Sequence, residues 1–213
     1  VVATHVNKVV RDHLSELFNY DDITQLHQRL ESLSPRLAED LAAGLNFSQL
    51  LKVYRQLLTE NVSLKDIVTI ATTLVESATI TKDSLLLTSD VRYALRTGIV
   101  NGINGDDKNL AVYTINNELE NMLLGSLNQA QQAGKVVLDN FPVDPNILTQ
   151  LQQNMPIIKE QMKAANHQPI LLVTPQLRPL IARYARLFCN GLNVLSYNEV
   201  PDDMALNVIG TLE

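Results

Sequence analysis

The run Asn101-Gly102-Ile103-Asn104-Gly105-Asp106-Asp107-Lys108-Asn109-Leu110-Ala111-Val112-Tyr113-Thr114-Ile115 decides how this sequence is read. Asn101-Gly102 and Asn104-Gly105-Asp106-Asp107 are turn chemistry, rich in residues that accept left-handed backbone and bond their own main chain. Leu110 to Ile115 is then a short β-branched and apolar run, the composition of a strand. Residues 101–109 therefore separate two regions of different period.

Before the run, the sequence reads as one helix after another. Val6, Val9, Val10, Leu14 and Leu17 fall on one helical face. Asp21 and Asp22 start a second helix with the stripe Ile23, Leu26 and Leu30. Ser34-Pro35 sets a cap before a first-turn proline, and Gly44 stops that helix. Asn46 and Gln49 form a capping box ahead of Leu50, Leu51, Tyr54, Leu57 and Leu58. Ser63 is expected to cap the next helix, with Asp66 in its first turn and Ile67, Ile70, Ala71 and Leu74 buried. A last helix carries Leu87, Val91, Ala94 and Leu95, with Gly98 as its stop.

After the run, strands and helices alternate. A helix starts at Asn116 or Asn117 and runs through Leu124, and Lys135 to Leu138 is a candidate strand. Asp144-Pro145 opens a long helix, kinked or split near Pro156. Ile170 to Val173 reads as a buried strand, Leu177 to Cys189 as a helix, and Leu192 to Leu195 and Asn207 to Thr211 as short strands. The fold class is α+β with several subdomains: a helical subdomain followed by an α/β subdomain with a small sheet.

The 213 residues are 46% hydrophobic and 19% charged, enough apolar mass for a packed core. With 8 Gly and 8 Pro, collagen-like repeats and disorder are excluded as the organising principle. No apolar run reaches the roughly 20 residues of a membrane-spanning helix. Aromatic residues are only 5% and Trp is absent, a poor supply of stacking platforms for single-stranded nucleic acid. The net charge of -6 opposes phosphate backbones and anionic lipid, so no nucleic-acid partner is expected. One cysteine, Cys189, cannot form an intrachain disulfide, which fits a reducing compartment. The first residue is Val, as expected of a piece of a longer chain.

No catalytic or metal-binding constellation emerges. His5 and His13 lie two helical turns apart and Glu16 a turn beyond, too spread to converge on one ion. Cys189, beside Leu187 and Phe188, reads as an inert buried thiol. Ser196 lacks the flanking glycines of a nucleophile elbow, and His167 with Ser196 is the one loose pair a small α/β enzyme would use. No Gly-rich loop precedes a helix, so no nucleotide cofactor is expected. A helical DNA-binding regulator with an α/β ligand domain is the other rival. Among residues 46–100, six cations face five carboxylates, a surplus of one that leaves out the electrostatic term such a reader needs.

Four collinear stretches carry a resemblance. They are Val1-Val2-Ala3-Thr4-His5-Val6-Asn7; Asn61 to Ile70 continuing to Val91-Arg92-Tyr93-Ala94-Leu95; Pro169 to Pro175 with Leu177-Arg178-Pro179-Leu180; and Val194-Leu195-Ser196-Tyr197-Asn198-Glu199-Val200. Together they resemble the C-terminal cytoplasmic domain of the large export-gate protein of type III secretion and flagellar export. Ser196-Tyr197-Asn198-Glu199 favours the virulence-associated branch of that family.

The resemblance implies an inner-membrane parent protein with a membrane part outside this chain. It implies a non-enzymatic role: a cytoplasmic, nine-membered homo-oligomeric ring that receives chaperone–substrate complexes, a gatekeeper protein and the ATPase stalk. Residues 1–19 would be the last helix of a preceding subdomain, 20–104 the ring-forming helical subdomain and 105–213 the α/β subdomain. Thr4 matches a threonine that lines a chaperone-binding hollow in flagellar relatives, although its place also suits a helix cap. Arg92 and Arg96 are candidates for contacts between subunits.

Overall fold

The computed structural model describes residues 1–134 and 143–213, the side chains of residues 8, 11 and 12 excepted. The chain packs as two compact units, Val1–Arg96 and Thr97–Glu213.

The first unit is helical. It contains α1 (Val2–Asp12), α2 (Leu14–Leu17), α3 (Tyr20–Leu33), α4 (Pro35–Gly44), α5 (Phe47–Thr59), α6 (Ile67–Ser77) and α7 (Ser84–Ala94). The continuous stripe from Val6 to Leu17 is broken at His13, which leaves helical geometry at φ -114° and ψ 17°. Asn19, not the aspartates, caps α3: its side chain accepts from the Asp21 and Asp22 amides, and the Asp22 carboxylate returns a bond to the Asn19 amide at 2.9 Å. The capping box of Asn46 and Gln49 forms as read, with both bonds at 2.9 Å.

Asp66 takes the capping role expected of Ser63, accepting from the Thr69 amide at 3.2 Å and the Thr69 hydroxyl at 2.7 Å. The carboxylate sits next to the first helical residue and reaches the third amide, the preferred N-cap geometry. Ser63 instead accepts from the Lys65 amide within the preceding loop. The interior of the unit holds Ile23, Leu30, Leu41, Leu50, Leu57, Ile70, Leu74 and Leu87, each at most 1% exposed. Burying each such side chain contributes about 1.5–3 kcal/mol relative to leaving it in water.

The second unit is α/β. It opens within α8 (Arg96–Asn104) and continues through β1 (Asn109–Ile115), α9 (Asn117–Gln132), α10 (Pro145–Ala164), β2 (Ile170–Val173), α11 (Arg178–Phe188), β3 (Asn193–Ser196), a 3-10 turn (Tyr197–Glu199) and β4 (Ala205–Leu212). Gly98 does not stop a helix, and Asn101-Gly102 is no turn. Both lie inside α8, whose left-handed residue is Gly105 at φ 62°. Val100 is fully buried in the core of this unit, with Ile99 and Ile103 packed against it. The apolar spacing of α8 thus runs straight through two glycines.

Among the described residues, four strands are parallel in the order β3-β2-β1-β4. β2 is buried along its whole length, while β4 is the exposed edge. This bears out the helical-then-α/β class. α9 extends to Gln132, beyond the expected end at Leu124, because Leu127 and Ala130 prolong its buried face. α10 is continuous through Pro156. Its face of Ile147, Leu151, Met155, Ile158 and Met162 is buried, and Gln152, whose carbonyl Pro156 leaves without a donor, is on the exposed side. The strand expected at Lys135–Leu138 lies outside the described residues.

Candidate protein-docking surfaces

Thr4 stands in the first turn of α1 with its side chain exposed. It does not cap the helix, which begins at Val2. On the same helix Val2, Val6, Val9 and Val10 are 78%, 52%, 44% and 43% exposed, an apolar stripe open to solvent. At about 100° per residue, Thr4 lies on the opposite side from that stripe. α2 is tied to the unit where Arg55 Nε donates to the Phe18 carbonyl at 2.9 Å and Phe18 meets Tyr54 edge to face at 5.9 Å.

Arg92 and Arg96 are a turn apart in sequence and differ in environment. Arg92 is 3% exposed, and its Nη1 lies 3.2 Å from Glu60 Oε2, itself nearly buried. Its guanidinium presents no surface in this chain. Arg96 is on α8, past the end of α7 at Ala94, and reaches the surface. Its Nη1 donates to the Tyr93 carbonyl at 3.0 Å, and its guanidinium lies 4.3 Å from the Tyr93 ring centroid. Stacking of this kind fixes both side chains at modest gain.

Tyr93 also lines a groove of about 430 Å³ between the ends of α6 and α7, with Glu76, Asp90 and Ile80. Ile80 is 88% exposed. The sequence reading passed over this groove. Its signal was an isoleucine set between Thr79 and Thr81, outside any helical stripe.

The residues considered for catalysis are placed in structural roles. Ser196 is 3% exposed, its hydroxyl bonds the Asn198 side chain, and its amide donates to Glu199 Oε1 at 2.9 Å. Glu199 is buried, with Oε2 4.0 Å from Arg178 Nε. The Ser196-Tyr197-Asn198-Glu199 run therefore closes a capping box after β3 and anchors it against the start of α11. His167 is exposed, and among the described residues no hydrogen bond joins it to Ser196. Burial pushes the Cys189 thiol up, with Glu160 adding to this and Lys159 and Lys163 opposing it. An un-ionised, buried thiol is a poor nucleophile. Among the described residues, no group of three or more His, Cys, Asp and Glu is placed to hold a metal ion, and no helix is long and apolar enough to cross a membrane.

Fold and surfaces together define a helical unit followed by a small parallel α/β unit, with open apolar and charged helix faces. The chain belongs to the FHIPEP family, whose model matches residues 1–205. It is 66% identical over 212 residues to LfhA of Escherichia coli O44:H18 (strain 042 / EAEC), a protein designated for flagellar export and assembly; the match covers 100% of this chain and 30% of LfhA. The fold matches the nonameric cryo-EM structure of EPEC SctV-C with TM-score 0.80 at 25% identity, over 99% of this chain and 62% of that one. It also matches the Chlamydia pneumoniae CdsV and CdsO protein complex with TM-score 0.84 at 21% identity, over 100% of this chain and 61% of that one. The chain thus spans under a third of LfhA. The family expectation is met. Within the family, high sequence identity lies with the flagellar protein, and the tetrapeptide after β3 has the structural role described above.

Proposed function

We propose that this chain is part of the cytoplasmic portion of an export-gate protein and serves as a docking module for protein export. The observation that carries this reading is the family match over residues 1–205, joined to 66% identity with LfhA. The parent would sit in the inner membrane through a part outside this chain. Nine copies would assemble, as in SctV-C, and present repeated surfaces to chaperone–substrate complexes, a gatekeeper and the ATPase stalk. Arraying weak sites multiplies effective affinity without any new contact. The acidic balance keeps nucleic acid and anionic lipid from competing.

In this reading residues 1–19 close a preceding subdomain, 20–104 form the assembling subdomain and 105–213 the α/β subdomain. Thr4 belongs to a chaperone-binding hollow, which its exposure on α1 supports. Arg96, with Tyr93, borders the surface between copies. Arg92 supports that surface from inside through Glu60.

The test is an export assay in the bacterium that encodes the chain. Deleting the codons that specify these 213 residues should abolish secretion of the exported proteins into the medium, and restoring them should recover it. Undiminished secretion from the deletion strain overturns the reading.

A further inference from the structure

We propose that Asn190-Gly191, in the turn between α11 and β3, is a self-modification site: the Gly191 amide nitrogen converts Asn190 to aspartate and isoaspartate, assisted by Lys159 of α10. The inference goes beyond the export reading and does not depend on it. An asparagine followed by glycine is the most open to this chemistry, because glycine has no side chain to hinder attack by its own nitrogen. The sequence holds three such pairs: Asn101-Gly102, Asn104-Gly105 and Asn190-Gly191.

The fold protects two of them. Asn101 and Gly102 lie inside α8, where backbone amides are engaged in the helix ladder. The Gly105 amide donates to the Asn101 carbonyl at 2.9 Å, and the Asn104 side-chain amide donates to the Asp107 and Asn109 carbonyls at 3.0 Å and 3.1 Å. In that second pair both the nucleophile and the group it would attack are held. Asn190 and Gly191 are both exposed, in a turn that the Leu192 amide closes onto the Cys189 carbonyl at 3.2 Å. Among the described residues, no hydrogen bond engages the Asn190 side chain or the Gly191 amide.

Lys159 sets the third pair further apart. Its Nζ donates to the Asn190 backbone carbonyl at 2.6 Å, and a Cβ built on Gly191 would stand 3.4 Å from that nitrogen. The Asn190 carbonyl and the Gly191 N–H belong to one peptide unit, joined by resonance. When the N–H loses its proton, the charge is shared with the carbonyl oxygen, and the ammonium stabilises it there. Lys159 is a positioning residue: it acts through the peptide and makes no bond to the reacting carbon.

The Gly191 nitrogen gives up its proton and attacks Asn190 Cγ. An N–Cγ bond forms, the Cγ–Nδ2 bond breaks, and the departing nitrogen takes up a proton and leaves as ammonia. Water then opens the cyclic imide at either carbonyl, giving aspartate or isoaspartate. Either product places a new carboxylate in the turn. Isoaspartate also adds a methylene to the main chain between buried Cys189 and Leu192.

The test incubates the folded chain in mildly alkaline buffer and maps its tryptic peptides by mass spectrometry, with fragmentation that separates aspartate from isoaspartate. Leu187–Glu213 carries Asn190, and Thr97–Lys108 carries the two protected pairs as an internal comparison. Conversion at Asn190 should run roughly tenfold or more ahead of Asn101 and Asn104, and guanidinium chloride should bring all three to similar rates as folded-state protection is lost. Lys159→Met should slow Asn190 by roughly threefold or more in the folded chain alone, and Lys159→Arg should keep the wild-type rate. Circular dichroism confirms that each variant folds. Conversion at Asn190 no faster than at Asn101 and Asn104 in the folded chain overturns the proposal. A preference for Asn190 that Lys159→Met leaves unchanged overturns the part given to Lys159.

Discussion

Arg92 and Glu60 meet inside the helical unit, Nη1 to Oε2 at 3.2 Å, with side chains 3% and 4% exposed. Arg92 sits in the last turn of α7 and Glu60 caps the end of α5, so the pair joins two helices that also share buried Leu57, Leu87 and Val91. Taking two charges out of water is costly, and removing one partner leaves the other's desolvation uncompensated. Arg92→Ala is expected to destabilise folding by about 3–5 kcal/mol in urea unfolding. Arg92→Met with Glu60→Leu should recover most of that loss, since a packed apolar pair matches a buried ion pair. A small effect of Arg92→Ala would mean that the arginine acts at the surface.

Gly210 on β4 lies against the Tyr113 ring. A Cβ built there would stand 2.5 Å from two ring carbons, closer than packed atoms allow. The ring cannot easily turn away, because the Tyr113 hydroxyl donates to Gln161 Oε1 at 2.7 Å. Gly210→Ala should therefore destabilise by about 1–3 kcal/mol, the usual cost of overpacking. Tyr113→Val should relieve most of that cost in the double variant, measured by the same unfolding curves.

Burial pushes the Tyr54 hydroxyl well above the ordinary tyrosine value. Because the folded-state value is raised, the associated stability is fully present below about pH 10 and is lost as the pH rises above it. Stability should fall by up to about 1.4 kcal/mol per pH unit there from this group alone. Tyr54→Phe, which keeps the ring against Phe18, should flatten that alkaline slope by one proton. An unchanged slope would show that Tyr54 ionises freely in the folded chain.

Much of the fold was legible before the structure. The change of period at Leu110, the capping box of Asn46 and Gln49, and the buried run Ile170–Val173 depend on local pattern alone, and the structure keeps them. The misreadings share a cause. Gly98 and Gly102 look like stops, but neither takes the left-handed backbone of a glycine cap, and Val100 buried in the α/β core holds α8 through both. Ser63 and Asp66 are both sound caps in isolation, and the choice was set by where Ile67 had to be buried. The surfaces were less legible. Arg92 and Arg96 look alike in sequence, and only the break after Ala94 separates a buried strut from a surface residue. The groove at Ile80 joins residues from two helices and a loop, which no single periodic stripe reports.

Glu199 anchors the turn after β3. Glu199→Ala removes the acceptor of the buried Ser196 amide, 2.9 Å away, and a carboxylate facing Arg178. The expected cost is about 1–3 kcal/mol, and Glu199→Gln, which keeps an acceptor for the amide, should lose less. Equal losses in both variants would assign the whole effect to the charge rather than to the cap.

The most direct test of the export reading is a pull-down from a secretion-competent lysate of the bacterium that encodes the chain, with the chain as bait and mass spectrometry as readout. Enrichment of export chaperones with their cargo, of the gatekeeper or of the ATPase stalk protein is the predicted result, with chaperone recovery reduced for Thr4→Ala bait. Enrichment of nucleic acid or of metabolic enzymes, with no export protein above the bead control, would contradict it.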